Sequence, residues 1–420
     1  MSYIIFFILL AIACFCICRI PFIKRSGLST RVILILFLVK VAAGLANGYI
    51  TEEFGRNSSD NWALNALSFS EYHLLLADPA VFLKELFVSN YNGGGYDNMF
   101  GSFGSFWNDL ENNILAKSLA PFNVISRNNY YINSIVFNFF GFFGHIALFR
   151  LFTHLYMHKR TVVLAGAFFL PTALFFNSSL SKDNVVFTFL AMFCFCLYFY
   201  TLSGFTWRRT AWLLFFFAGV LLMRNHIALL LVPPAVSFFL SFRLRVRPAV
   251  LFAGCIALLL VLLLVVPPVV PSLNPAAVIS HKQQDFLALG IANTQIPINA
   301  VEPNSISLLQ NMPQAFVHGF FRPWITDIQS GFVCLQFIEI ACYLLFFLLA
   351  AYYFIRSGRR NIHPFVLFCF FFVSMVYIMN GYIVPNTNTL VRYRSIYLPL
   401  IITPLLCNVP LLNRLNQIKI

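Results

Sequence analysis

Apolar runs long enough to cross a bilayer recur from one end of this chain to the other, and they fix its fold class before any motif is considered. Hydrophobic residues make up 60% and charged residues only 10% of the 420 positions, and mean hydropathy is +0.80. A water-soluble domain does not carry that balance, so the sequence predicts an all-α polytopic membrane protein. A crossing helix needs roughly 20 apolar residues. Spans are expected near 3–18, 32–49, 130–152, 161–178, 184–202, 210–223, 227–242, 249–266, 331–355, 364–384 and 395–411, about 11 in all. The first run has a signal peptide's length, but it lacks a basic leader and a small-residue cleavage site, and reads as a retained span.

Charge orients these spans. The short loops at Arg19–Arg31, Lys159–Arg160, Arg208–Arg209, Arg243–Arg247, Arg356–Arg360 and the tail with Arg414 and Lys419 carry no Asp or Glu. All 14 acidic residues lie elsewhere. The Lys/Arg bias makes the basic loops cytoplasmic, with the N-terminus outside and the C-terminus inside. The net charge of +14 reports this bias, so nucleic acid is not expected as a partner, whereas membrane lipids are.

The whole chain, 1–420, reads as one integral membrane unit with two long outer loops, 51–128 and 267–330. Loops of that length are functional or carry helices of their own. In the first, Trp62, Leu64, Leu67, Tyr72, Leu74 and Leu75 recur at helical spacing, as do Leu110, Ile114, Leu115 and Leu119; both stretches suit interfacial helices. Between them, Asn92–Asn98 reads as a Gly-rich turn. The second loop opens on Pro267, Pro268, Pro271 and Pro275, a stiff exit from the membrane.

Chemistry that needs carboxylates therefore belongs to the outer face. Asp60, just beyond the second span, is placed to act as a general base on a hydroxyl, and equally to N-cap the Trp62 helix. Lys182 and Asp183 sit at a tight hairpin between apolar runs, where a charged pair is used or paired; Lys182 could hold a phosphate or Asp60. Arg224 and His226 occupy the next outer hairpin, and a guanidinium there can fork onto phosphate oxygens or snorkel. Arg322 stands at the outer mouth of the ninth span and Glu339 within that span, where a carboxylate is functional or pairs with a neighbouring Arg. Arg392 and Arg394 open the last span; they form a phosphate clamp only if the segment is non-helical or splayed. The ten cysteines all fall in or beside apolar runs and read as small buried hydrophobes. His154 and His158 have no third ligand, so no metal site is expected, and no nucleotide loop or nucleophile elbow is present.

These residues occur in a recognisable order. An early outer Asp is followed by Pro171-x-x-x-Phe175-Phe176-Asn177-Ser178-Ser179-x-x-Lys182-Asp183, an outer Arg hairpin, Phe321-Arg322-Pro323-Trp324, and Arg392-Tyr393-Arg394 with Pro399. Spread over about 45–400, this pattern resembles the bacterial integral-membrane glycosyltransferases of the C-type fold, relatives of the protein O-mannosyltransferases and the lipid A aminoarabinose transferases. The resemblance implies an inverting transferase of the bacterial inner membrane, its site facing the periplasm. It implies a polyprenyl-phosphate-linked sugar donor and a glycan, lipid or protein acceptor. Asp60 would be the base, with Lys182, Arg224, Arg392 and Arg394 on the phosphate side. Glu52 and Glu53, an acid pair slightly upstream, are the alternative base. No cofactor is called for, although a divalent cation at the phosphate is left open. Two rival readings share the architecture: a polysaccharide polymerase or ligase acting on lipid pyrophosphates, and a non-enzymatic flippase or transporter. The absence of a convincing internal repeat weighs against the latter.

Overall fold

The computed structural model describes residues 2–55, 59–87, 96, 99, 105–288, 294–357, 362–410 and 412. Among them the secondary structure is helical, with an isolated bridge from Gln295 to Asn386 and no strand. The turn expected at Asn92–Asn98 lies largely outside the described residues. In chain order the helices are α1 (Ser2–Arg19), α2 (Pro21–Lys24), α3 (Thr30–Gly55), α4 (Asp60–Ala77), α5 (Pro79–Lys84), α6 (Phe106–Leu119) and α7 (Asn123–Ser126). Then follow α8 (Tyr130–Leu155), α9 (Arg160–Phe168), α10 (Pro171–Phe176), α11 (Lys182–Ser203), α12 (Trp207–Met223), α13 (Asn225–Ser241) and α14 (Pro248–Val269). The last are α15 (Pro275–Ala288), α16 (Ser305–Phe321), α17 (Gly331–Arg356), α18 (Pro364–Ile383), α19 (Thr387–Ser395) and α20 (Leu398–Asn408).

Seven of these, α1, α3, α8, α11, α14, α17 and α18, are long and apolar enough to cross a membrane, or eight if α19 and α20 form one bent crossing. The chain is thus an all-α multi-pass membrane protein, but the expected 11 spans overcount. Four runs are responsible. The 161–178 run breaks at Leu170, which is extended (φ −73°, ψ 117°) because the ring of Pro171 disfavours helix in the residue before it. The 210–223 and 227–242 runs become α12 and α13, 17 residues each, separated by Arg224 alone (φ −150°, ψ 85°). The 395–411 run starts earlier and bends by 70° between α19 and α20, where Pro399 occupies the first turn of α20.

The second outer loop is also more helical than its prolines suggest. α14 continues through Pro267 and Pro268 to Val269. A proline at 267 leaves the carbonyl four residues earlier without its helical donor; Leu263 O accepts instead from Ser305 Oγ at 2.6 Å, which ties α14 to the start of α16. In the first loop, α4 and α6 form where the amphipathic spacing predicts, with Lys117 of α6 paired to Glu71 of α4 at 2.6 Å.

The basic turns gather at one end. Arg160 Nη2 donates to Ser26 O (3.1 Å) and Gly27 O (2.9 Å), Arg150 Nη1 to Phe22 O (3.2 Å), and Lys159 Nζ to Cys407 O. From that end α3 climbs about 15 Å to reach Lys40, at 1.5 Å per residue. At Lys40's level two interrupted crossings meet: α9 packs on α20, α10 packs on α19, and Asn177 Nδ2 donates to Ser395 O at 3.2 Å. Backbone can leave the helix within a membrane only where protein or a cavity satisfies it. The two breaks satisfy each other and create an interior place for polar side chains.

Candidate functional site

The turn that follows α10 is fixed from three sides. Lys40 Nζ donates to Asn177 O (2.5 Å) and Ser178 Oγ (3.4 Å). Asn138 Nδ2 donates to Ser178 O (2.9 Å), and Asn184 Nδ2 to Ser179 O (3.3 Å). Lys40 is fully buried and meets carbonyl and hydroxyl oxygens, with His145 Nε2 at 3.4 Å. It acts as a peg under the end of α10. Lys40 is absent from the sequence-derived candidates, although an ionisable residue inside an apolar run is itself the signal. The consequence of this clamping is a defined position for the next two charged residues, Lys182 and Asp183, at the first turn of α11.

Asp183 anchors a chain of ion pairs that rises from the interior to solvent. Its Oδ1 accepts from Arg224 Nη2 at 2.6 Å and its Oδ2 from Arg392 Nε at 2.5 Å. Arg392 Nη1 continues to Asp60 Oδ2 at 2.8 Å. Side-chain exposure along this chain is 9% for Arg224, 1% for Asp183, 27% for Arg392 and 71% for Asp60. Asp60 therefore ends the chain as a carboxylate open to solvent. Ser59, not Asp60, is the N-cap residue of α4, and Asp60 lies in its first turn. Lys182 does not reach Asp60; it pairs with Glu111 of α6. α6 is brought there by Trp107, whose Nε1 donates to Leu222 O near the end of α12 at 3.0 Å.

Burial pushes the Glu111 carboxyl above its ordinary range, and the Lys182 ammonium pulls it partly back. Lys282, on α15, lies close enough to act on Glu111, Arg224 and Lys182. Burial pushes its ammonium down, Arg224 adds to that, and Glu111 opposes it. His226 is in the same electrostatic neighbourhood, beside Lys282, Arg224 and Lys182. The Arg224 guanidinium stacks over the Tyr393 ring at 4.5 Å, and its Nε is buried without a partner. Neither Glu111 nor Lys282 is among the sequence-derived candidates. Both lie in polar stretches of the long loops, where a charge is unremarkable until the fold carries it inward.

Other candidates go elsewhere. α19 is helical, so Arg394 diverges from Arg392: it donates to Gly319 O (3.2 Å) and Arg322 O, carbonyls at the C-terminal end of α16. Arg322 pairs with Asp327 and lies over Trp324 at 4.5 Å. Glu339 forms no ion pair with an Arg among the described residues. Its two oxygens accept from Thr172 N at 3.2 Å each, and it also bonds Thr172 Oγ1 and Tyr343 OH. It thereby caps the start of α10, whose own N-cap residue Leu170 has no side-chain acceptor. Glu52 accepts from Tyr131 OH at 2.7 Å, and Glu53 is exposed; among the described residues neither joins the Asp183 cluster.

The carboxylates of the cluster are committed to cations, and no three His, Cys, Asp or Glu side chains converge among the described residues. That donor set does not fit a divalent ion as it stands, and no step below is routed through one. The chain matches no family model, no curated protein and no solved structure.

Proposed function

We propose that this protein is an inverting glycosyltransferase of the bacterial inner membrane. It moves a sugar from a polyprenyl phosphate to a glycan, lipid or protein acceptor on the periplasmic face. The observation that carries the reading is the Asp60–Arg392–Asp183–Arg224 chain. It sets a solvent-open carboxylate one guanidinium away from a partly buried group of cations. Transfer from a lipid phosphate needs that pairing, a base at the acceptor and positive charge at the leaving group. The acceptor oxygen attacks the anomeric carbon from the face opposite the phosphate. Its proton goes to Asp60. The bond from that carbon to the phosphate oxygen breaks, and its electron pair stays on the polyprenyl phosphate, neutralised by Arg224, Arg392 and Lys182. Asp183 holds the two guanidiniums side by side, and is itself fixed by the clamped turn beneath it.

One observation favours a second reading. Lys182, Arg224, Lys282 and Arg392 gather with His226 in one place, a group rich in basic side chains and imidazole. A polymerase or ligase acting on a lipid pyrophosphate suits that composition. Purified protein in liposomes, offered a radiolabelled extract of lipid-linked sugars, separates the two. On the first reading wild type consumes the monophosphate donor, and Asp60→Asn loses at least about 100-fold, the low end of what a general base contributes. Turnover of pyrophosphate donors alone selects the second. Equal activity of Asp60→Asn removes Asp60 from the chemistry.

A further inference from the structure

The ion pairs of the cluster leave one cation over. Asp183 takes Arg224 and Arg392, Asp60 takes Arg392, and Glu111 takes Lys182. Lys282 has no ion pair or hydrogen bond among the described residues, although it is partly buried beside two other cations. Glu111 and Asp285 attract its ammonium without bonding it, Glu111 being paired to Lys182 and Asp285 lying against His281; a partly buried ammonium with no bonded partner is explained if an anion arrives to complete it.

The geometry of α15 shows that this placement is built. Gln283, the next residue, is buried and fixes the helix: its Nε2 donates to Tyr382 O (2.7 Å) and Asn299 O (3.0 Å), and its Oε1 accepts from Val301 N (2.9 Å). One turn beyond Lys282, Phe286 meets the Tyr393 ring edge-on, with centroids 6.5 Å apart. Tyr393 is the ring under Arg224. Residues four apart share a helix face, so Lys282 and Phe286 present one face of α15 to the Arg224–Tyr393 side of the cluster. The chain after α15 is then stitched to the approach of α19: Ile296 N donates to Pro385 O (2.8 Å) and Thr387 N to Thr294 O (3.0 Å). The second long loop is thereby fastened to the helix that carries Arg392.

We propose that Lys282 is the phosphate-reading residue of this site. Its ammonium contacts the phosphate of a lipid-linked ester directly, and α15 forms the wall that covers it. The inference rests on the phosphate-site reading above. It adds a specific residue and a specific element, both outside the membrane-crossing helices.

The test is binding, which needs no knowledge of the sugar or acceptor. Wild type, Lys282→Gln, Lys282→Arg and a control, Lys24→Gln at the basic end, are placed in phosphatidylcholine nanodiscs. Each is titrated with a fluorescent short-chain polyprenyl phosphate, with the corresponding pyrophosphate, and with inorganic phosphate as competitor. Removing a charge-assisted hydrogen bond to a phosphate weakens binding about tenfold or more. Lys282→Gln is expected to weaken lipid phosphate binding by at least that factor. Lys282→Arg and Lys24→Gln are expected to stay within about threefold of wild type. If wild type binds and Lys282→Gln binds equally well, Lys282 is not a phosphate contact, and the phosphate site stands without it. If wild type binds none of the three probes, the phosphate-site reading fails and this inference fails with it. Competition by inorganic phosphate that also depends on Lys282 shows that the headgroup, not the tail, is what Lys282 reads.

Discussion

At the scale of single residues, Asp183 carries the most structural consequence. It is almost fully buried between two guanidiniums, and its carboxylate is what lets them approach. Removing one partner of a buried ion pair leaves uncompensated charge and costs about 3–5 kcal/mol. Asp183→Asn keeps the shape and removes the charge. It is expected to lower the thermal stability of the detergent-solubilised protein by that order. Asp60→Asn, on the exposed end of the same chain, is expected to leave the melting temperature nearly unchanged. Equal stability of Asp183→Asn and wild type would mean that the triad is open to water. Five members of the cluster, Asp60, Lys182, Asp183, Arg224 and Arg392, were legible in the sequence because each interrupts or ends an apolar run on the same side. Arg394 looked equivalent to Arg392. The distinction depends on whether their segment is helical, and helical geometry sends the two side chains to different neighbours.

At the scale of elements, hydropathy located the seven long apolar helices and overcounted the rest. An averaged hydropathy run cannot register that Pro171 and Pro399 interrupt it, and these two breaks are what bring α10 and α19 together. Packing distances were equally invisible. α16 and α18 cross so closely that a Cβ on Gly381 would overlap Ala315 O, and one on Gly319 would overlap Tyr377 O. These contacts are with backbone, which cannot rotate away. Gly381→Ala is therefore expected to destabilise by about 1–3 kcal/mol or more through overpacking. Gly254→Ala, inside α14 where nothing lies within 4 Å, is expected to be neutral or to stabilise by up to about 1 kcal/mol. Thermal unfolding of the two variants in one detergent checks the pair. The same sign for both would show that α16 and α18 do not make this close crossing. Because Arg394 holds Gly319 O, loosening the crossing also loosens α19, and lipid phosphate binding should weaken in Gly381→Ala alone.

At the scale of the whole molecule, the charge pattern makes a prediction about sidedness that can be tested without any knowledge of the reaction. The fold draws the Lys159–Arg160 turn and the Ser26–Gly27 turn to one end. Asp60, with Arg392, lies about two thirds of the length of α3 away from them, since Asn61 and Trp62 bond Asn47 and Gly48 in the far half of that helix. Short loops rich in Lys and Arg stay in the cytoplasm, so the ion-pair cluster is expected to face outward, and a substrate is expected to reach it from that side. Single cysteines introduced into a variant lacking the ten native ones report this directly. Arg245→Cys, in the basic turn between α13 and α14, is expected to resist a membrane-impermeant maleimide applied to intact cells and to react after lysis. Ser272→Cys, between α14 and α15, is expected to react in intact cells. Because the two positions flank a single helix, α14, they must differ if it crosses. Reaction at both in intact cells would mean that α14 does not cross. The reverse pattern would place the cluster in the cytoplasm, where a sugar nucleotide, not a flipped lipid carrier, would be the available donor. The outcome thus decides between donors of different chemistry before any enzymatic assay is attempted.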